Sequence, residues 1–436
     1  MKLAFVALSG VRVHDPELLA LGLTLPGFVE RGRTIAALPS LGLLTLAGMT
    51  PDDVDVDYVE IDALPEGLGP LAGFDVVALS SFTARIGAAY ELADRCRSAG
   101  ITVVLGGLHV TACPDEAAAH ADSIVVGEAE PVWPTLLADL RNGALRPRYD
   151  GRALAFDLAD APMPRFQLLR GRTVDRYTVQ TQRGCPWDCE FCASSIRLRP
   201  GLRLKPIAKV ADEVRAIRDL ASRPFLELAD DNTFASREHG RRLCDALAPT
   251  GLRWFTETDV SFADDEDLVR RAADAGCVQV LVGLESPSAG PLAGVERVRD
   301  WKATRAGRYL DAIERIQRNG IAVNGCFVLG LDGAGSDQFD ATLDFVRDSG
   351  LHEVQITVQT PFPGTPLHER LTREGRLLAP QAWERCTLFD VVFEPRGVGV
   401  EELRAGLRRM IAELYATDAV AERRARFRSA RRGGGT

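Results

Sequence analysis

The sequence predicts an α/β protein built from two series of alternating strands and helices. Short β-branched runs alternate with helix-length amphipathic segments in both series, a pattern typical of parallel sheets. The first series, residues 1–142, predicts a doubly wound parallel sheet of the Rossmann type. The second, residues 175–397, predicts a partial (β/α)6 barrel. Residues 143–174 lose the periodicity and contain three prolines, which indicates a connection between the two domains.

Length and composition exclude several classes of function. With 436 residues, of which 46% are hydrophobic, the chain can bury the cores of two or three domains. A formal net charge of −9 argues against a general nucleic-acid binder, which needs a cationic face. No apolar run reaches the roughly 18 residues of a membrane span. The apolar stretch at residues 2–8 predicts a first strand rather than a secretion signal, so we expect a cytoplasmic protein.

The first series contains five predicted strands. They are predicted at residues 2–8, 55–61, 75–80, 101–105 and 123–126, and helix-length segments cover 84–98 and 131–141. Ligands of such sheets bind beyond the carboxyl ends of the strands.

Small or polar residues follow three of these strands. They are Ser81 and Thr83 after the third strand, Gly106, Gly107 and His109 after the fourth, and Gly127 and Glu128 after the fifth. Ordinary turn chemistry explains any one of these clusters taken alone. Three clusters on one rim favour a binding edge at which the backbone is open to a ligand.

The second series contains six predicted strands and five helical segments. The strands are predicted at 177–181, 225–229, 253–257, 278–282, 322–329 and 353–358. The helices are predicted at 207–220, 237–247, 266–275, 302–319 and 336–349. A final helix at 400–415 begins the C-terminal region, residues 398–436, and we expect its Arg-rich tail to be a solvated, disordered end.

The cysteines point to a metal centre. Nine cysteines are an odd number, and their spacing is unlike a disulfide framework. Three of them, Cys185, Cys189 and Cys192, lie within eight residues. Thiolates are soft ligands, so this loop suits an iron–sulfur cluster or zinc. A structural zinc site uses four protein ligands, and none of the six histidines lies near the loop in sequence. Three ligands leave one iron of a four-iron cluster open.

The loop Cys185-x3-Cys189-x-Phe191-Cys192, at the end of the first barrel strand, resembles the signature of the radical S-adenosylmethionine (SAM) superfamily. The resemblance implies that the three cysteines bind a [4Fe–4S] cluster. It also implies that the open iron binds SAM, which is cleaved to methionine and a 5′-deoxyadenosyl radical. Phe191 matches the aromatic position that packs near the adenine.

Further matches follow the later barrel strands. Asp230 and Asp231 stand where the superfamily often has Gly-Gly-Glu, and a carboxylate there could accept hydrogen bonds from the SAM ammonium group. The alternative for this pair is a helix N-cap. Glu285 matches a polar SAM contact after the fourth strand. Gly325 and Gly330 lie close to the glycine motif that backs the adenine in relatives.

The first domain resembles the cobalamin-binding domain of B12-binding radical SAM enzymes. The features in common are the segments 39–44, 106–111 and 127–130, in that order. The resemblance makes the rim residues named above expected cobalamin contacts. The Asp-x-His-x-x-Gly signature of histidine-ligated cobalamin proteins is absent, so we expect His14 and His109 to be hydrogen-bonding loop residues rather than cobalt ligands.

The resemblance favours a cobalamin-dependent radical SAM methyltransferase that acts on an unactivated carbon. Its expected partners are a small-molecule substrate and an electron donor such as flavodoxin or ferredoxin, and not nucleic acid. One alternative is a radical SAM enzyme that catalyses a cyclisation, an oxidation or a C–C bond formation, with or without cobalamin. A second is a non-catalytic iron–sulfur sensor, which would have no use for a SAM pocket. A methylthiotransferase is disfavoured because the first domain lacks a second cysteine triad.

Overall fold

The computed structural model describes residues 1–8, 10, 13–21, 38–193 and 201–433. Within them the first domain is a parallel sheet of six strands in the order β2-β1-β3-β4-β5-β6. These strands are β1 (Lys2–Leu8), β2 (Asp55–Glu60), β3 (Val76–Ser81), β4 (Thr102–Gly106), β5 (Ser123–Val126) and β6 (Arg148–Asp150). The doubly wound sheet is therefore confirmed, with one strand more than predicted.

The second domain is a parallel sheet of six strands in the order β14-β13-β12-β11-β10-β7. Its strands are β7 (Tyr177–Val179), β10 (Phe225–Leu228), β11 (Arg253–Thr258), β12 (Cys277–Glu285), β13 (Ala322–Leu329) and β14 (Glu353–Val358). No pairing joins β14 to β7 among the described residues, so the barrel is partial, as predicted. An antiparallel hairpin of β8 (Gln182–Arg183) and β9 (Arg203–Leu204) follows β7.

Helices cover the faces of both sheets. In the first domain they are Pro16–Ala20, Leu41–Met49, Ile86–Ser98, Leu108–Ala112, Pro114–Ala118 and Trp133–Arg141. In the second they are Ile207–Arg218, Arg237–Leu247, Glu266–Asp274, Ala289–Leu292, Trp301–Arg305, Tyr309–Arg318, Gln338–Ser349 and Pro366–Arg373, and the C-terminal pair is Val400–Leu414 and Thr417–Gly433. No helix among the described residues has the length and apolar content that crossing a membrane requires.

Strand alternation divides the apolar side chains of the first sheet between two cores. In β1, Leu3 and Phe5 pack into a core that continues into the barrel, whereas Ala4 and Val6 pack into a second core on the opposite face. Side chains of a strand point alternately to its two faces, which explains this division. Because one continuous core includes residues of both domains, the two sheets are held together by apolar packing.

Three segments differ from the sequence prediction. The predicted connection 143–174 contains β6, whose residues pair in register with β5. The predicted helix 302–319 is interrupted, with a 3₁₀ turn between Trp301–Arg305 and Tyr309–Arg318.

The tail predicted to be disordered is the helix Thr417–Gly433 as far as residue 433, and residues 434–436 lie outside the described ranges. On this helix Arg423 and Phe427 are 7% and 9% exposed. Their burial against the barrel explains why an Arg-rich segment is ordered.

Candidate functional site

A cavity of about 270 Å³ opens at the carboxyl ends of the barrel strands. Every strand from β10 to β14 contributes to its wall, directly or through the loop that follows it. Its polar and cysteine lining comprises Cys185, Cys189, Cys192, Asp231, Asn232, Glu257, Thr258, Asp259, Glu285, Lys302, Cys326, Gln355, Thr357, Gln359 and Thr360. We call this space the barrel cavity.

The cysteine loop, residues 184–192, forms one wall of the barrel cavity. Gly184 has φ +84°, a left-handed conformation that glycine adopts readily and that turns the chain from β8 into the loop. The Glu190 N–H donates to the Val295 carbonyl (2.9 Å), and the Leu367 N–H donates to the Glu190 carbonyl (3.0 Å). Two distant segments therefore clamp the middle of the loop.

An arginine strengthens this clamp. The Arg370 guanidinium donates from Nη2 to Glu190 Oε1 (2.7 Å) and from Nε to Glu190 Oε2 (3.1 Å), and its Nη1 donates to Asp332 (2.6 Å). Hydrogen bonds to both carboxylate oxygens fix direction as well as distance. Arg370 thus ties the cysteine loop to the residues that follow β13.

The three loop thiols fit a metal cluster. All nine cysteines are free thiols, and these three face one cavity. Burial raises the pKa of Cys185 to about 11 and that of Cys189 to about 12, the latter even with Lys302 nearby, so both thiols need a bound metal cation to ionise at neutral pH. Soft cations supply that stabilisation to thiolates. A further thiol, Cys326 on β13, lines the same cavity, and burial also raises its pKa.

The two aspartates after β10 have separate environments. Asp230 is 2% exposed, and its carboxylate accepts hydrogen bonds from Thr181 N (2.7 Å), Gln182 N (3.1 Å) and Thr233 Oγ1 (2.9 Å). It lines neither cavity, so its position is that of a brace beneath the hairpin strand β8 rather than a ligand contact. Asp231 faces the barrel cavity.

Glu285 ends β12 in a left-handed conformation, with φ +62°. Such a backbone is uncommon for a non-glycine residue and is found mostly where function or packing imposes it. Its buried carboxylate accepts a hydrogen bond from Lys302 Nζ (2.7 Å), which also donates to Gly283 O (3.2 Å). Burial lowers and the Glu285 carboxylate raises the pKa of Lys302, and the net direction is upward. Both side chains line the barrel cavity as an ion pair.

Of the three remaining barrel residues predicted to contact SAM, one lines the barrel cavity and two do not. Phe191 lines the barrel cavity. Gly325 and Gly330 line neither cavity. A Cβ atom at Gly325 would lie 2.8 Å from Leu351 Cδ1, and one at Gly330 would lie 3.0 Å from Leu403 Cδ2. These glycines therefore permit close packing in the core, and the structure places them behind the cavity wall.

Sequence inspection missed Glu257, on β11. Its carboxyl faces the barrel cavity, and no hydrogen bond or ion pair joins it to another described residue. Enclosure within the barrel raises the pKa of Glu257 to about 8 by removing water from the carboxylate. Three neighbouring carboxylates add to this rise, those of Glu227, Asp231 and Glu285. Strand alternation alone could have found it, because Phe255 and Glu257 share a face of β11 and an acidic residue on an inward face is unusual.

A second cavity, of about 360 Å³, lies at the carboxyl edge of the first sheet. We call it the interdomain cavity because residues of both domains line it. The first domain contributes Ser40, Leu41, Gly42, Leu43, Thr45, Leu46, Ala78, Leu79, Ser80, Val104, Gly106, Gly107, Leu108, Val125, Gly127, Glu128, Ala129, Glu130 and Trp133. The connection and the barrel contribute Ala161, Pro162, Gln180, Arg183, Gly184, Arg203, Lys205, Ala229 and Asp231. Asp231 lines both cavities, so they adjoin at this residue.

Glycines shape the first-domain wall. Gly107 has φ +113°, and a Cβ atom there would lie 2.9 Å from Ser80 Oγ. Gly127 has φ +80°, and a Cβ atom there would lie 2.9 Å from the Arg152 backbone nitrogen. With Gly106, they leave backbone rather than side chain at the edge, which fits the close approach of a large planar ligand.

Three residues predicted on this rim do not line the interdomain cavity. Ser81 donates through its hydroxyl to Phe82 O (3.2 Å), and Thr83 is buried at the start of a 3₁₀ turn. His109 is 1% exposed, and its Nε2 lies 3.3 Å from Glu116 Oε1. His109 sits one residue beyond the cavity wall, where it helps to pack the helices Leu108–Ala112 and Pro114–Ala118.

Comparison with known proteins identifies the family that each domain matches. Residues 179–346 match the radical SAM superfamily, residues 36–137 match the B12 binding domain, and residues 365–433 match a domain of unknown function (DUF4070). The first two matches confirm the expected domain types and their order along the chain.

Two curated relatives come from Chlorobaculum tepidum. Bacteriochlorophyllide d C-8(2)-methyltransferase is 30% identical over 368 residues, which cover 81% of this chain and 80% of the relative. Bacteriochlorophyllide d C-12(1)-methyltransferase is 27% identical over 401 residues, covering 91% of this chain and 86% of the relative.

Among solved structures, the chain resembles the radical SAM methyltransferase TsrM from Kitasatospora setae with tryptophan substrate and a SAM analog bound. The TM-score is 0.68 at 15% identity, with 96% of this chain and 90% of the TsrM chain covered. At this identity the likeness shows a shared fold.

Proposed function

Because this chain belongs to the B12-binding radical SAM family of cobalamin-dependent methyltransferases, we propose that it transfers a methyl group to an unactivated carbon of a small-molecule substrate. The observation that carries this proposal is the meeting of the two cavities at Asp231. A methyltransferase of this kind needs its hydrogen-abstracting group and its methyl donor to face one substrate. Two adjoining cavities at the carboxyl edges of two sheets provide such a space.

The chain's residues divide the cofactors between the cavities. Cys185, Cys189 and Cys192 would hold the [4Fe–4S] cluster, and the glycine edge of the interdomain cavity would hold cobalamin. Asp231 and the Glu285–Lys302 pair would contact SAM. When bound, the cluster and SAM supply one-electron activation of a substrate C–H bond, and cobalamin supplies the methyl group.

The cavity walls suit reactive one-electron chemistry. Leu41, Leu43, Val104 and Val125 give the interdomain cavity an apolar lining that limits water. A water-poor site protects reactive species from side reactions.

Within the cysteine loop, the Trp187 ring stacks on the ring of Trp301 with centroids 4.4 Å apart, and Trp187 Nε1 donates to Asp259 Oδ2 (2.7 Å). Trp187 itself lines the barrel cavity. A stacked and hydrogen-bonded ring has little rotational freedom, so this wall is rigid and can orient what binds beside the cysteines.

We further propose an electron donor of the flavodoxin or ferredoxin type. We place tetrapyrroles first among substrates to be tested, because both curated relatives are named for bacteriochlorophyllide d. The test panel also includes polycyclic lipids and aromatic amino acids, which differ from tetrapyrroles in charge and shape.

The first test is a metal count. The full chain is reconstituted without oxygen with iron, sulfide and hydroxocobalamin, desalted, and analysed for iron and cobalt. We expect about four irons and one cobalt per chain. Iron without cobalt would overturn the cobalamin-dependent reaction.

The second test follows the methyl group. SAM labelled in its methyl group is incubated with the reconstituted protein, a reductant and each candidate substrate. Label in a product with a new C–CH₃ bond supports the proposal. Cleavage of SAM that depends on a substrate but leaves no label in the product would overturn methyl transfer in favour of a cyclisation, oxidation or C–C bond formation.

A further inference from the structure

Arg183 lies between the two halves of the proposed active site. It is the last residue of β8 and stands two positions before Cys185, so its backbone leads directly into the cysteine loop. Its side chain is 17% exposed and lines the interdomain cavity. The Arg183 side chain thus lines the interdomain cavity, while its backbone leads into the loop whose cysteines line the barrel cavity.

The Arg183 side chain is held mainly by the first domain. Its Nη1 donates to Glu128 Oε1 (2.8 Å) and its Nη2 donates to Glu130 Oε1. Its Nε donates to Gln180 Oε1 (2.7 Å), and its guanidinium carbon lies 5.9 Å from the centre of the Phe156 ring. Both glutamates lie just after β5, at the glycine-lined carboxyl edge of the first sheet.

The surroundings make these contacts strong. Glu128 and Glu130 are 6% and 7% exposed, so water competes little with the guanidinium. Arg203, opposite Arg183 in the β8–β9 hairpin, also donates from Nη2 to Glu128 Oε1 (2.6 Å). Two guanidinium groups and two carboxylates leave this group without net charge. Arginine suits the position because its planar group can reach two carboxylates at fixed angles, which a lysine ammonium cannot do.

We propose that Arg183 is a positioning residue that couples the two cofactor sites, by fixing the cysteine loop to Glu128 and Glu130 at the edge of the first domain. The inference rests on the proposed function, because it assumes a cluster on one side and cobalamin on the other. A change at Glu130 in the first domain then alters the surroundings of the cluster even when no cobalamin is bound. Ligand binding at the first-domain edge alters them in the same way.

The test compares four full-length proteins reconstituted with iron and sulfide: wild type, Glu130→Gln, Glu130→Asp and Arg183→Lys. Glu130→Gln keeps the shape and removes the charge, and Glu130→Asp keeps the charge. The readout is the electron paramagnetic resonance spectrum of the reduced cluster, recorded without cobalamin and then with hydroxocobalamin. Iron content and circular dichroism check that each variant holds its cluster and its fold.

We expect Glu130→Gln and Arg183→Lys to retain about four irons and to shift the g values of the cluster signal. In both variants we also expect hydroxocobalamin binding to weaken roughly tenfold, because the charge-assisted hydrogen bond between Arg183 and Glu130 belongs to the wall of the interdomain cavity. Glu130→Asp should lie closer to wild type in both readouts. Arg408→Gln is the matched control, because it breaks another ion pair between the domains, with Asp15 (2.9 Å), without touching the cysteine loop. It should leave the cluster signal unchanged.

An unchanged cluster signal in both Glu130→Gln and Arg183→Lys would overturn the coupling, as would an equal shift in Arg408→Gln. If Glu130→Gln fails to fold, Arg183→Lys decides the question, since it keeps a positive charge. Failure of the proposed function is seen separately, because wild-type protein would then hold no cobalt or would transfer no methyl label to a product.

Discussion

The carboxyl edges of the two sheets present different surfaces to the space between them. The barrel edge presents side chains that bind or carry charge, among them three thiols, an ion pair and the carboxyl of Glu257. The edge of the first sheet presents backbone at Gly106, Gly107 and Gly127, with aliphatic side chains beside it. Its charged residues, Glu128 and Glu130, are occupied by arginines of the barrel. One edge is therefore suited to ligation and the other to holding a large ligand by its shape.

This difference determines which kind of substitution impairs each edge. A ligating edge loses function when one side-chain atom is removed. A shape-based edge loses function when an atom is added, because Gly107 and Gly127 have left-handed backbones and no room for a Cβ atom.

Removal of one thiol should give the largest effect. Cys189→Ala leaves the cysteine loop with two ligands, and we expect almost complete loss of the cluster, measured as iron per chain and as visible absorbance after anaerobic reconstitution. Cys244→Ala, at a buried thiol in the helix Arg237–Leu247, is the control and should keep its iron. A Cys189→Ala protein with a full cluster and normal SAM cleavage would contradict the assignment of the barrel edge.

The ion pair of the barrel edge should rank second. Lys302→Met leaves the Glu285 carboxylate buried without its cation, which we expect to cost about 3–5 kcal/mol of unfolding free energy. Urea denaturation without oxygen measures this loss. The double variant Glu285→Gln/Lys302→Met removes both charges of this pair and should recover part of the lost stability. A loss below about 1 kcal/mol would mean that the pair behaves as a surface salt bridge.

The glycine edge should respond to the opposite kind of change. Gly127→Ala adds a Cβ atom 2.9 Å from the Arg152 backbone nitrogen at a left-handed position, and we expect a cost of about 1–3 kcal/mol. Cobalt content should fall while iron content stays at the wild-type value. Gly143→Ala is the matched control: Gly143 is also left-handed, at φ +66°, but a Cβ atom there meets nothing within 4 Å. Equal effects of the two variants would show that backbone strain alone is responsible.

The two edges also differ in how far sequence alone predicts them. The alternation of strands and helices predicts both sheets, since hydrophobic periodicity is a local property. The cysteine loop is equally local: three ligands within eight residues meet in space in almost any fold. These parts of the prediction depend on no long-range contact.

The rest depends on contacts between distant segments. Asp230 and Asp231 are neighbours in sequence, yet one is bound by Thr181 and Gln182 and the other faces both cavities. Nothing local to the pair decides which of them is buried. His109 and Gly107 differ similarly, because the helix that starts at Leu108 turns the histidine away from the cavity. Sequence alone could not show that Arg183 and Arg203 bind the Glu128 carboxylate, because these arginines lie 55 and 75 positions further along the chain.

The smallest expected effect is the pH dependence that Glu257 contributes to the stability of the folded protein. Glu257 is open to the barrel cavity, but enclosure by the barrel and the neighbouring carboxylates raise its pKa from an ordinary value of 4.5 to about 8. Between these values the folded protein holds a proton that the unfolded chain has released. The stabilising contribution of the protonated carboxyl is complete below about pH 4.5 and is lost as the pH rises through about 8. Glu257→Gln cannot ionise. Its melting temperature relative to wild type should therefore be higher at pH 8.5 than at pH 5.

Thermal unfolding of the reconstituted proteins at several pH values measures this difference, and Glu238→Gln, at an exposed glutamate, is the control. The change in this difference between pH 5 and pH 8.5 should be larger for Glu257→Gln than for Glu238→Gln. Parallel curves for Glu257→Gln and wild type would mean that the carboxyl is already ionised in the folded protein. The barrel edge would then carry one more negative charge at neutral pH, and its contrast with the edge of the first sheet, whose charges are paired, would be greater.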